Sequence, residues 1–97
     1  MTAHEFKDLI QDYITGKISV KEFEKRYNDF YSFGFEPNNE RLFNILDRLF
    51  CEIDLYWENC QPGQESDFEI SEPELRKRAE IALHQLEEYL KAEKLSP

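Results

Sequence analysis

Histidine, cysteine and clustered carboxylates are the side chains with which this chain could do chemistry, and their spacing points to binding and away from catalysis. His4 and His84 are its two histidines, near opposite ends of the chain. General acid-base work needs such a group held beside a second titratable partner. Glu80 precedes His84 by four positions, so the Glu-x-x-His ligand pair that a di-iron bundle requires twice is absent. No Gly-rich phosphate loop, nucleophile elbow or Cys-His pair at a known spacing occurs either. Cys51 and Cys60 supply neither a disulfide framework nor the ligand set of a zinc site, and Cys51 is expected to pack in a core. Glu65, Asp67 and Glu69 crowd one segment, as oxygen ligands for a hard cation would, but the calcium-loop spacing with its central glycine is missing. The expectation is a non-enzyme with no catalytic residues, no cofactor and no metal.

The carboxylates carry more information as a field. Between Leu49 and Leu75 lie eight acids, Glu52, Asp54, Glu58, Glu65, Asp67, Glu69, Glu72 and Glu74, without a single Lys or Arg. Taking those eight from the chain's 21 acids leaves 13 against 12 bases, so almost all of the net charge of -9 belongs to this stretch. Charge concentrated in that way attracts and orients a basic partner, whereas an evenly acidic surface mainly maintains solubility. Direct nucleic-acid binding is not expected, because the one basic cluster, Arg76, Lys77 and Arg78, follows the acids at once and can pair with Glu residues of its own helix.

Four helical patterns must position these groups. Phe6, Leu9, Ile10, Tyr13 and Ile14 form one apolar stripe ahead of Gly16, a natural helix stop. Ser19 and Glu22 have capping-box spacing before Phe23, Tyr27, Phe30 and Tyr31, which predicts a second helix from about Val20. Gly34, Pro37, Asn38 and Asn39 interrupt, and a third helix carries Leu42, Phe43, Leu46, Leu49, Phe50 and Ile53, ending near Tyr56 to Asn59. Pro62 and Gly63 open a polar loop without a sign of regular structure. Ser71 and Glu74 repeat the capping box, and a fourth helix to about Lys91 presents Leu75, Ala79, Ala82, Leu83, Leu86 and Leu90.

Nothing reads as strand, so the expected fold is all-α. Short connections favour an antiparallel up-down four-helix bundle, one domain over residues 1–97. Charges within the first 18 residues exclude the apolar core of a signal peptide, and no later run approaches membrane-spanning length. A soluble cytoplasmic protein is expected.

On this scaffold Glu52, Asp54 and Glu58 fall at the end of the third helix, where the dipole is negative and an exposed acid costs about 0.3 to 1 kcal/mol. Stability alone would place bases there. Glu72 and Glu74, at the positive start of the fourth helix, have an ordinary capping role. Tyr56 and Trp57 lie beside Glu58, and aromatics ringed by charge have the composition of a binding hot spot. They also continue the helical spacing of Leu49 and Phe50, so the competing reading packs at least one of them inside.

Three segments, taken in order, resemble the family of bacterial self-protective colicin-like immunity proteins. Gly16, Lys17, Ile18, Ser19, Val20, Lys21, Glu22 and Phe23 are similar to the family's approach to its second helix. The run Leu49, Phe50, Cys51, Glu52, Ile53, Asp54, Leu55 and Tyr56 resembles its Leu-Phe-x-x-Val-Asp-x-Tyr-like segment, and Ile70, Ser71, Glu72, Glu74, Leu75 and Arg76 its start of the last helix. The loop from Gln61 to Ser66 is longer than in the family pattern, and the second helix is richer in aromatics. The resemblance implies a small helical bundle that binds a nuclease toxin of colicin or contact-dependent inhibition type, many of which cut tRNA, and blocks its active site. The charge map and its neighbouring aromatics make Glu52, Asp54, Tyr56, Trp57, Glu58, Glu65, Asp67, Glu69 and Glu72 the expected toxin-binding set, in a one-to-one complex without membrane or nucleic acid. The alternative is an acidic, non-catalytic adaptor for a basic host protein.

Overall fold

The computed structural model describes residues 3–32, 40–66 and 69–95, with side chains over 3–29, 40–66 and 69–92. These contain four helices, α1 (Ala3–Ile14), α2 (Val20–Ser32), α3 (Glu40–Asp54) and α4 (Glu72–Leu95). The fold is an all-α four-helix bundle in which α1 packs on α2 and α4, and α3 packs on α2 and α4. The expected breakers Gly34, Pro37, Asn38 and Asn39, the side chains of the expected core positions Phe30 and Tyr31, and the acid Asp67 lie outside the described residues.

The termini follow local chemistry. Gly16 takes a φ of 82°, which a side chain would oppose, and so ends α1. The Lys17 amide donates to the Asp12 carbonyl at 2.8 Å and the Gly16 amide to that of Tyr13 at 3.1 Å, the two bonds of a Schellman motif. Both capping boxes form by half. Ser19 Oγ accepts from the Glu22 amide at 3.2 Å and Ser71 Oγ from the Glu74 amide at 3.4 Å. The glutamates, expected to reach back, instead turn forward one helical turn to arginines: Glu22 to Arg26 at 2.7 Å and Glu74 to Arg78 at 3.1 Å. A charge-assisted bond to guanidinium outcompetes a neutral amide.

The core is aromatic where α1 meets α2. The rings of Tyr13 and Phe23 stack at 4.4 Å, and Tyr27 stands edge-on to Phe6 and Phe23 at 5.3 and 5.8 Å. All four are fully buried. The Tyr27 hydroxyl donates to the Leu46 carbonyl at 2.7 Å, so the polar end of a buried ring ties α2 to α3. Burying one such side chain contributes roughly 1.5 to 3 kcal/mol against the 0 to 1 kcal/mol of an exposed ion pair, so this cluster and not the surface charge holds the bundle.

Several expectations shift by a residue or two. On α3 the inward stripe is Leu42, Ile45, Leu46, Leu49 and Ile53, which turns Phe43 outward. Cys51, opposite that stripe, is exposed, while Cys60 is the buried cysteine. On α4, Leu75, Ala79, Ala82 and Leu86 are buried as expected and Leu83 and Leu90 partly so; Tyr89 joins them, and the helix continues past Lys91 to Leu95.

The third helix ends at Asp54, before the expected boundary, for a backbone reason. The Leu55 and Tyr56 amides donate to Glu52 and Ile53, tightening the last turn, and the Trp57 amide leaves the helix for the Ile70 carbonyl at 3.2 Å. Ile70 returns its own amide to Leu55 at 2.9 Å, giving an isolated parallel bridge between Tyr56 and Ile70. The segment after Pro62, read as irregular throughout, therefore ends on a fully buried anchor.

A candidate protein-binding surface

The predicted site residues do not form one patch. Four of the acids, Glu52, Glu58, Glu65 and Glu72, have partners within the fold. Glu52 receives Arg48 at 3.0 Å. The Glu72 carboxylate oxygen Oε1 accepts both the Tyr13 hydroxyl at 3.1 Å and the Arg76 guanidinium at 2.9 Å. Burial and the neighbouring Glu72 push the Tyr13 phenol well above its ordinary range. Glu65 holds its own turn, accepting the Gly63 amide on both oxygens at 2.9 and 3.0 Å, and Glu69 accepts the Ser66 amide on its carbonyl. Glu65 and Glu69 border Cys60, whose thiol is pushed up first by burial and then by their charge.

Asp54 and Glu58 face solvent beside Tyr56 and Trp57. Glu58 lies four residues beyond the helix end, so of the acids placed there by sequence only Glu52 and Asp54 sit in the last turn of α3. Glu24 of α2 joins this group and was not anticipated. Its carboxyl is raised first by burial, then by Asp54 and, more weakly, by Glu58, with Lys21 opposing. Lys21 itself meets Glu58 at 3.6 Å, both side chains well exposed. Glu24 directly follows the buried Phe23 and so sits at the edge of the inward stripe of α2. That edge position was legible, but which helix it faces depends on tertiary packing.

The two aromatics divide. Tyr56 is half-buried against the core, and burial followed by Glu72, Glu24 and Glu58 raises its phenol. Trp57 is 52% exposed. The competing reading thus holds for Tyr56, which enters the core through the bridge to Ile70 and not by prolonging the helix.

The basic cluster lies on α4. Arg76 and Arg78 pair back to Glu72 and Glu74, and Lys77 lines a groove of about 410 Å³ between α3 and α4 with Arg48 and the exposed Ile81. His4 and His84, distant in sequence, line one shallow cleft between α1 and α4 with Lys7 and Lys91. Among the described residues no group of three or more His, Cys, Asp or Glu is arranged to hold a metal ion, and no helix is long and apolar enough to cross a membrane.

An all-helical bundle with exposed carboxylates next to an exposed tryptophan in the chain is equipped to recognise another protein. This chain belongs to the family of bacterial self-protective colicin-like immunity proteins, whose pattern matches residues 1–86. That span takes in α1, α2, α3 and more than half of α4. Membership makes it an immunity-type protein directed at a bacterial toxin. No curated protein and no solved structure matches the chain.

Proposed function

We propose that this protein binds a cognate bacterial nuclease toxin of colicin or contact-dependent inhibition type, with tRNA as the toxin's substrate, and neutralises it by covering the basic active site. The observation that carries this reading is the exposed Trp57 beside Asp54 and Glu58, with Glu24 behind them. A nuclease must offer Lys, Arg or His to phosphates, and fixed carboxylates can occupy those groups in place of RNA. Trp57 supplies desolvated contact area at the centre, with Tyr56 supporting it. Glu52, Glu65, Asp67, Glu69 and Glu72 add to the long-range field, which speeds encounter more than it strengthens the complex. The protein works without catalysis, cofactor or metal, as a cytoplasmic monomer in a one-to-one complex, and binds neither nucleic acid nor membrane.

The test is a panel of purified colicin-type and contact-dependent inhibition nuclease domains, each assayed for tRNA cleavage while this protein is titrated in. Specificity is a difference of affinities, so one member of the panel is inhibited stoichiometrically and the others are not. Binding that leaves cleavage untouched supports the adaptor reading instead.

A further inference from the structure

Trp57 joins an exposed side chain to a fixed backbone. Its side chain is half in solvent, yet both polar groups of its backbone are engaged: the amide donates to Ile70 at 3.2 Å and the carbonyl accepts from the Cys60 amide at 2.9 Å. The residue is fixed by its main chain while its indole contributes little to the core. Ile70 is what fixes it. Its side chain is fully buried, its backbone amide donates to the Leu55 carbonyl and its carbonyl accepts from the Trp57 amide, and the adjoining Ser71 caps α4. Cys60, also buried, pins the far end of the turn.

We propose that Ile70 is a positioning residue for recognition: by anchoring the turn from Tyr56 to Cys60 it holds Trp57 outward as a pre-ordered anchor for an apolar recess of the partner. The inference rests on the toxin-binding reading above. An aromatic whose backbone needs no ordering on association retains more of its contact energy, because less freedom is lost when it binds. Sequence alone assigned Ile70 no such role, because a single apolar residue after a polar loop has no periodicity to mark it.

Trp57 is the chain's one tryptophan, so its motion can be read directly. Time-resolved fluorescence anisotropy of the free wild-type protein should show Trp57 tumbling with the whole molecule. In Ile70→Ala, with the helical circular dichroism retained, a fast local component should dominate. Affinity for the nuclease domain inhibited in the panel should fall about tenfold, and that fall should vanish when Trp57 is already alanine, as a coupled pair requires. If Ile70→Ala loses its helical signal, Ile70→Val and Cys60→Ala serve the same comparison with smaller deletions. An unchanged anisotropy decay in a folded variant overturns the positioning role, and so does a mobile Trp57 with unchanged affinity. If the wild type binds no member of the panel while the anisotropy contrast is present, it is the toxin reading that fails.

Discussion

The guanidinium carbon of Arg76 lies 4.9 Å from the centroid of the Tyr13 ring, and the same guanidinium donates to the Tyr13 and Ile14 carbonyls at 3.5 and 3.0 Å. One side chain from the first turns of α4 thus closes the C-terminus of α1, where carbonyls lack partners and the dipole is negative. Glu72 completes the arrangement by binding Arg76 and the Tyr13 hydroxyl together. Arg76→Ala should lower stability by about 1 to 2 kcal/mol, the sum expected for a cap and a cation-π contact at a half-exposed site. Arg76→Lys should recover little, since an ammonium cannot span the carbonyls and Glu72. Urea denaturation of the two variants checks both.

Alkaline pH should weaken the fold. Tyr13 and Tyr56 are raised above their ordinary value of 10.0, and Cys60 above 9.0, in each case chiefly through burial. A raised folded pKa means that the folded state holds its proton longer than the unfolded chain does. The associated stability is complete below the ordinary values and drains away as pH rises through the folded ones. The urea midpoint should therefore decline from about pH 9 upward. Tyr13→Phe should flatten the part of that decline above pH 10.0.

Tyr27→Phe tests the polar tie between α2 and α3. The ring volume and its contacts with Phe6 and Phe23 are retained, and the bond to the Leu46 carbonyl is lost. The expected loss is about 1 kcal/mol in denaturant unfolding, with no change in toxin inhibition.

Lys21 bears on the binding reading from the opposite direction. Its ammonium sits on Glu58 and opposes the charge around Glu24. Exposed pairs of this kind add little stability. Lys21→Glu should leave unfolding nearly unchanged and raise the association rate with a basic nuclease domain severalfold at low salt, an advantage that fades as salt is added. Stopped-flow association at two ionic strengths decides it.

What the sequence revealed follows the range of the forces involved. Helix starts and stops were legible because Ser19, Ser71 and Gly16 act on neighbouring backbone, and the stripe Phe6, Leu9, Ile10 and Tyr13 was legible because a helix repeats. The end of α3 was not, because the Trp57 amide chooses a partner thirteen residues away at Ile70 over the helix carbonyl. The candidate surface divides in the same way. Asp54, Trp57 and Glu58 could be named from composition, whereas Glu24 arrives from α2 and Glu72 is drawn inward by Tyr13 of α1, both through contacts between helices.

In the proposed mode of inhibition the carboxylates beside Trp57 take the place of RNA phosphates on a toxin. The most direct test of that mode is inhibition of tRNA cleavage by the wild-type protein and by the Asp54→Lys, Glu58→Lys double variant, after circular dichroism has verified that both are folded. Neither carboxylate is needed to hold the core, so the variant should fold normally while its inhibition constant rises by at least a hundredfold, on the order of 3 kcal/mol. Undiminished inhibition by the folded double variant would rule out phosphate mimicry by these two carboxylates and place toxin recognition on another face of the bundle.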